Sequence, residues 1–336
     1  MSDTQVICLV PVKNEAWILR DFIKCAKAWA DIIIIGDHNS TDNSAGIAQE
    51  YGKVKVVSLH NTSFDRGLRR KILLDEARKI PGKRLIFSID ADEMISANWA
   101  DSPTWSLMLN AQPGTRFRFD WVEPFPGLRQ ADVYEQVAAF IDDGTEYIGT
   151  MKHEPRIPSS RGEIVHVADI KLLHYIFIEP ERMFSKHRWN KCVEIIELGK
   201  RPWPMCIMYQ DTKIKSYDAP IVSVKEEWLR GYEWLEEYRS GKDQIEKCYW
   251  YDEEVLNFFD KYGVGRFRKL NIWDVDWNKK AQLLGRNGNY NDPRSTYEVW
   301  VHKFIEQHRE ELKIKSNFKW KAVRLFGKTA LRALGW

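Results

Sequence analysis

Asp90-Ala91-Asp92-Glu93 places three carboxylates in four residues, directly after the apolar run Leu85-Ile-Phe-Ser-Ile89. Like charges this close repel in a partly desolvated site, and a divalent cation is the usual means of keeping them ionised. Mg2+ or Mn2+ is therefore expected here. Such ions take one or two carboxylates and complete their shell with water and phosphate oxygens, which makes a nucleoside diphosphate the expected co-ligand. A lone Asp-x-Asp is short enough to be a solvated turn. Two further acidic turns, within Pro11 to Glu15 and Asp37 to Asp42, also follow apolar runs and argue against that reading.

The elements that must position these turns are legible upstream. Val6 to Val12 is continuously apolar, as a strand buried on both faces requires, and a helical segment follows from about Glu15 to Ala30. Asp31 to Gly36 repeats the strand pattern. Ser40-Thr41-Asp42 supplies N-cap chemistry for a helix through Gln49, Val54 to Leu59 is a third strand, Leu68 to Ile80 a helix and Leu85 to Ile89 a fourth strand. This alternation predicts an α/β fold with a doubly wound, mostly parallel sheet whose ligands bind beyond the carboxyl ends of the strands. Asp37 closes the second strand, where an acid accepts hydrogen bonds from ribose or base. The first turn reads Pro11-Val-Lys-Asn-Glu15 without glycine, so a nicotinamide dehydrogenase is set aside. Phosphates must then be met by metal and side chains, for which Arg66, Arg69 and above all Arg70 are available.

Taken in order, Val-Pro-Val-Lys-Asn-Glu (10–15), Gly-Asp-His-Asn-Ser-Thr-Asp (36–42), the Arg70-Lys71 helix and Ser-Ile-Asp-Ala-Asp-Glu (88–93) resemble the successive signatures of family 2 glycosyltransferases with the GT-A fold. The resemblance covers about the first 95 residues well and the next 100 loosely. It implies a nucleotide-sugar donor, UDP- or GDP-linked, a divalent metal and inversion at the anomeric carbon. It also implies roles: Asp37 on the base, Pro11 and Glu15 lining the nucleoside pocket, Asp90 with Ala91 at the ribose, and Asp92 on the metal. The turn Asp37-His-Asn departs from the family pattern of consecutive acids, which leaves the base open. The middle of the chain is similar to lipopolysaccharide-core members, in which a His-Glu pair precedes a His-Tyr pair. Here these are His153-Glu154 and His174-Tyr175, which makes His174 a candidate further metal ligand. Inversion needs a base for the acceptor hydroxyl. Glu154 is the first candidate and Asp143, in Phe140-Ile-Asp-Asp-Gly144, the second.

The remainder sets the frame. With 336 residues, 44% hydrophobic and 29% charged, the chain folds, and two packed parts are expected. A net charge of +3 is too small for a dedicated nucleic-acid binder. Five scattered cysteines without metal-like spacing fit a reducing compartment. The expected organisation is a GT-A-like domain over 1–222, a helical, aromatic-rich region over 223–314 and a basic amphipathic tail over 315–336. In the helical region Trp228, Tyr232, Leu235 and Tyr238 recur at helical spacing, and Pro293 opens a helix toward Glu311. Arg182, Lys186, His187, Arg188 and Lys191 form a cationic segment suited to an anionic ligand. In the tail, Lys321, Arg324, Lys328 and Arg332 oppose Phe318, Leu325, Phe326 and Trp336, a pattern fit either for an anionic membrane surface or for docking on the domain. With no signal-like N-terminus, the expected location is cytoplasmic, peripheral on the membrane if the tail binds it. The expected activity is sugar transfer to a hydroxyl of a glycan or glycolipid. The alternatives are an aspartyl-nucleophile phosphatase using Asp90 and Asp92, and a non-catalytic sugar-nucleotide-binding module.

Overall fold

The computed structural model describes residues 4–60, 65–149, 155–209, 220–235, 238, 247–309, 328–329, 331–333 and 335–336. They form two compact units, Met1–Ile178 with Asp218–Lys242, and Glu179–Tyr217 with Asp243–Trp336.

The first unit is built on β1 (Thr4–Val12), α1 (Ala16–Trp29), β2 (Ile32–Asp37), α2 (Ser44–Gln49), β3 (Val54–Ser58), α3 (Arg66–Arg78) and β4 (Lys83–Ser88). β1 is buried along nearly its whole length because it is covered on both faces, which is why it reads as an unbroken apolar run. On one side α1 packs Ile18, Leu19, Phe22, Ile23, Ala26 and Trp29 into the core, a helical stripe set by the 3.6-residue period. On the other, Leu73, Leu74 and Ala77 of α3 cover Ile7, Leu9, Ile34 and Ile86. Then come β5 (Glu93–Ile95), α4 (Pro103–Asn110), β6 (Arg116–Pro124), β7 (Gln130–Ile141) and β8 (Ile164–His174).

The sheet order is β3-β2-β1-β4-β7-β6-β8-β5, with β9 (Ile221–Ser223) added on β7. β3, β2, β1 and β4 run parallel. β7 joins antiparallel to β4 and to β6, β8 runs parallel to β6, and β5 is antiparallel to β8. β4 and β5 are four strand steps apart along this order, yet only residues 89–92 separate them in the chain. The sheet therefore curls, and that short connector is the acidic turn. The predicted α/β class with a GT-A-like arrangement is present, its parallel part being the first four strands.

Past β7 the chain turns at the opposite edge. Asp142 N–H donates to the Arg84 carbonyl at the start of β4, and the buried Asp142 carboxylate takes the guanidinium groups of Arg78 at 2.8 Å and Arg84 at 3.0 Å. The segment then follows α3, with Tyr147 packed among Leu73, Leu74 and Ala77, until Gly149 meets Gly67 in the first turn of that helix. A Cβ on Gly149 would stand 2.5 Å from the Gly67 Cα, so both positions require glycine.

The second unit contains α5 (Pro180–Ile196) and α6 (Pro202–Met208) and, beyond residue 243, α8 (Trp250–Tyr262), α9 (Trp277–Leu283) and α10 (Thr296–Gln307). α7 (Glu226–Leu229) belongs to the first unit. Residues 179–217, expected within the N-terminal domain, thus fall in the helical unit. After His174 the sheet gains only the short β9, and α5 packs on α8. The aromatic spacing from Trp228 to Tyr238 does not form one long helix. α7 is followed by a 3-10 turn at Glu233–Leu235, and Trp228 and Leu235 fill the core of the first unit while Tyr232 O–H donates to the Ile95 carbonyl at 2.6 Å. The helix expected after Pro293 starts at Thr296, with Ser295 and Glu298 forming a reciprocal cap.

Of the cationic segment of α5, Arg182, Arg188 and Lys191 are turned inward, while Lys186 and His187 are half-buried. Arg188 and Lys191 are almost fully buried, Arg188 pairing with Asp274 at 3.0 Å and Lys191 donating to Asn271 Oδ1 at 2.9 Å, while Arg182 lies over the Tyr251 ring. Of the tail, Phe318, Lys321, Arg324, Leu325 and Phe326 lie outside the described residues. Leu331 and Trp336 are buried with Trp203, Ile207, Val301 and Ile305, so these two apolar groups serve the unit's own core. No helix among the described residues is long and apolar enough to cross a membrane.

Candidate active site

Parallel pairing fixes a row of turns on one sheet edge. Pro11 is in register with Gly36, Val12 with Asp37 and Leu9 with Ser88. Asp37 and the residues after Ser88 therefore flank the end of β1 from either side. Two strand spacings separate β2 from β4, about 10 Å, which suits a nucleoside laid across the edge.

The first two turns are stitched together by Asn14. It adopts a left-handed conformation (φ 54°), which asparagine tolerates better than most residues. Its Oδ1 accepts from the N–H groups of Thr41 at 2.6 Å and Asp42 at 3.3 Å, and its own N–H donates to Ser40 Oγ. Asp42 accepts from the Ala16 N–H at the start of α1 and from Ser44 N–H and Oγ at the start of α2. The Ser-Thr-Asp run thus caps by bridging two helices. Asp37 accepts from the Ser40 N–H at 3.3 Å and stays half-buried at the edge. Glu15 accepts from the Trp17 indole at 2.6 Å. His38, next to Asp37, is buried. Burial, and then the cations Arg69 and Lys13, lower it to about 4, so it presents a neutral imidazole beside Asp37.

At the third turn, Arg70 donates to Ser88 Oγ at 2.8 Å and to Asp90 Oδ1 at 3.0 Å, tying α3 to the end of β4. Ala91 is buried. The Asp92 carbonyl accepts from the Tyr175 N–H, which holds the turn against the end of β8. Register sets Glu93 opposite His174, and the His174 ring turns its Nε2 toward Asp92 Oδ2, 3.6 Å away. Its Nδ1 lies 2.7 Å from Glu123 Oε1. Burial opposes a charge on this imidazole, but Asp92 and Glu123 on its two sides outweigh burial and raise it to about 10.

A divalent ion fits these donors. A carboxylate on Nδ1 is the partner that orients a metal-bound histidine, and it leaves Nε2 directed at a second ligand, Asp92. Among the described residues no group of three or more His, Cys, Asp or Glu side chains forms a metal cage. Two protein donors, with the rest of the shell left to water and phosphate oxygens, is the pattern of Mg2+ with nucleotides.

Two sequence candidates are not seen in this cluster. Asp143 follows β7, whose end abuts the start of β4, whereas the acids follow the end of β4. Leu85 to Asp90 is a run of about 16 Å in extended chain, so Asp143 is at the wrong edge to serve as base. It accepts instead from the Thr145 N–H. Glu154, with His153, lies outside the described residues. Conversely, Trp121, Glu123 and Arg156 belong to the cluster without having been singled out. Trp121 and Glu123 continue the buried face of Phe117 and Phe119 in β6, and a glutamate ending an apolar alternation was the available signal. Arg156 lies two residues past Glu154 and pairs with Glu93. Nothing in its local sequence marks it.

No curated protein matches the chain. Among solved structures it is similar to glucosyl-3-phosphoglycerate synthase from Mycobacterium tuberculosis in complex with Mn2+, uridine diphosphate and glucosyl-3-phosphoglycerate, at 18% identity, covering 35% of this chain and 44% of that one, with a TM-score of 0.26. A complex of the same enzyme with uridine diphosphate gives 19% identity, 35% and 44% coverage and a TM-score of 0.27. The chain spans less than half the length of these structures. The family model described as Glycosyl transferase family 2 matches residues 7–102, the span from β1 through the acidic turn, and over this span the chain carries a family 2 glycosyl transferase region.

Proposed function

We propose that this protein is an inverting, metal-dependent glycosyltransferase that moves a sugar from a UDP- or GDP-linked donor to a hydroxyl of a glycan or glycolipid. The observation that carries the reading is the line Asp92, His174, Glu123 at the end of the strand edge that also bears Asp37 and Asp90. In this reading Asp37 meets the base, Pro11 and Glu15 line the nucleoside pocket, and Asp90 with Ala91 takes the ribose. Arg70, which holds Asp90 in place, is within reach of the diphosphate. Asp92 and His174 hold Mn2+ or Mg2+, with Glu123 fixing the imidazole. When bound, the ion would stabilise the negative charge that develops on the departing diphosphate.

Inversion requires the acceptor hydroxyl to attack the anomeric carbon from the face opposite the bond that breaks. The hydroxyl proton passes to a carboxylate, and Glu154 is the proposed base. Family membership over residues 7–102 supports transfer over hydrolysis by an aspartyl nucleophile, and Asp90 is already engaged by Arg70. A lipopolysaccharide-type acceptor and an anionic membrane surface met by the basic tail remain parts of the proposal. The latter rests on the charges of residues 315–336, and vesicle flotation of the full chain tests it.

Calorimetry with UDP and GDP, with and without Mn2+, tests the core of the reading. Nucleotide uptake should depend on Mn2+ and be lost in Asp92→Ala; metal-independent uptake that survives this substitution refutes it. Glu154→Gln should abolish transfer while leaving nucleotide uptake intact, and full transfer activity in that variant removes Glu154 from the mechanism.

A further inference from the structure

Glu93, the third acid of the turn, has no part in the roles above. It is completely buried. One of its oxygens accepts from the Asp90 N–H at 2.9 Å and the other from the Trp121 indole at 2.8 Å. Arg156 closes on both oxygens, Nη1 on Oε2 and Nη2 on Oε1. The same guanidinium is 3.7 Å from Asp90 Oδ2 and lies over the Trp121 ring. Trp121 in turn stacks on His174, with centroids 4.6 Å apart and planes within 14°.

A buried guanidinium beside Asp90 and close to Asp92 is a poor neighbour for a divalent cation, since like charges in a low-dielectric site repel strongly. Arg156 cannot lose its proton. Its charge can be cancelled only by a dedicated carboxylate, and the two-pronged pairing with Glu93 supplies one. The pairing also holds the guanidinium against Trp121, with Asp90 Oδ2 at 3.7 Å.

Resting on the divalent-ion reading above, we propose that Glu93 is a positioning residue that neutralises Arg156 and so limits the repulsion a divalent ion at Asp92 would meet, while its bond to Trp121 sets the indole on which the His174 ring lies. The acidic turn is therefore a composite. Two of its acids are assigned to the ligand, and the third neutralises a fixed cation beside them.

Glu93→Gln preserves volume and removes the charge; its single amide oxygen accepts from one of the two N–H groups, that of Asp90 or that of Trp121, in both the single and the double variant. Mn2+ binding followed by electron paramagnetic resonance, with UDP or GDP present, should weaken by about 10- to 100-fold, the range for residues that support metal ligands, and return to within about threefold of the wild type in Glu93→Gln/Arg156→Gln. A merely structural role predicts no such rescue, because the double variant has lost more native contacts than the single one. Wild-type affinity in Glu93→Gln overturns the proposal, as does a folded double variant that binds no better than the single one. If Glu93→Gln does not fold, the double variant decides alone: near-wild-type affinity supports the proposal and loss of binding overturns it. Failure of the wild type itself to bind Mn2+ would instead sink the metal reading, and this inference with it.

Discussion

Replacing Glu123 by glutamine tests how much of the metal site is built outside its ligands. The substitution keeps the side-chain volume and an oxygen that accepts from the His174 Nδ1–H, so it removes charge and little else. The contact is 2.7 Å long, with His174 at 6% and Glu123 at 8% exposure, so water cannot substitute for the lost charge. A hydrogen bond to a charged group contributes about 1.5–3 kcal/mol. At about 1.4 kcal/mol per factor of ten, that corresponds to a loss of about 10- to 150-fold in affinity. The independent range for carboxylates that orient a metal-bound histidine, about 10- to 100-fold, agrees. Titration of Mn2+ against Glu123→Gln with nucleotide present measures the loss directly, and circular dichroism checks the fold. Affinity equal to that of the wild type would mean that the Nδ1 contact does not prepare His174 for a metal.

Two further expectations lie away from the metal. Asp142→Asn strands Arg78 and Arg84, and breaking a buried pair costs about 3–5 kcal/mol. The lower figure applies, because these arginine side chains remain 22% and 19% exposed and can hydrate. Calorimetric melting should fall by about 6–12 °C, with nucleotide affinity unchanged; an unshifted Tm would refute the role of the triad. In the second unit, burial, and with it the Arg294 guanidinium 3.1 Å from its Nδ1, lowers His302 to about 4 from its ordinary 6.5. Between those values the unfolded chain binds more protons than the folded one. Stability is therefore complete above about pH 6.5 and is lost as pH falls toward about 4. Denaturant titrations across that window should show the decline, His302→Gln should flatten it, and an identical slope in that variant would refute the assignment.

The centre of the sheet could be read from the chain because β1, β2 and β4 are buried on both faces along most of their length and so are written as nearly uninterrupted apolar runs. The turns could be read because parallel strands put their carboxyl ends on one edge. What stayed hidden depends on pairing between distant strands. Glu123 and Trp121 acquire meaning only once β6 lies beside β8, and the bulges opposite β6, in β7 and in β8, mean that sequence spacing alone cannot give that register. Asp143 looked eligible because it is an acid after a strand, but β7 runs antiparallel to β4, so its end points the other way. The α5 cations looked suited to an anionic ligand because helical spacing does not reveal that Asp274 and Asn271 come to meet Arg188 and Lys191. The family signature stops at residue 102, before any of these.

The acidic turn joins two strands that are neighbours in the chain and far apart in the sheet, so the groups on its two sides have separate origins. Asp37, His38 and Asn14 come from strand ends and turns laid down before it, whereas Trp121, Glu123 and His174 come from strands laid down after it. On the proposed roles, recognition of the nucleobase and tuning of the cation would thereby be uncoupled. Exchanges at 37–39 would redirect the choice of donor while leaving the imidazole and its carboxylate untouched, and β6 and β8 would drift without rewriting which nucleotide is admitted.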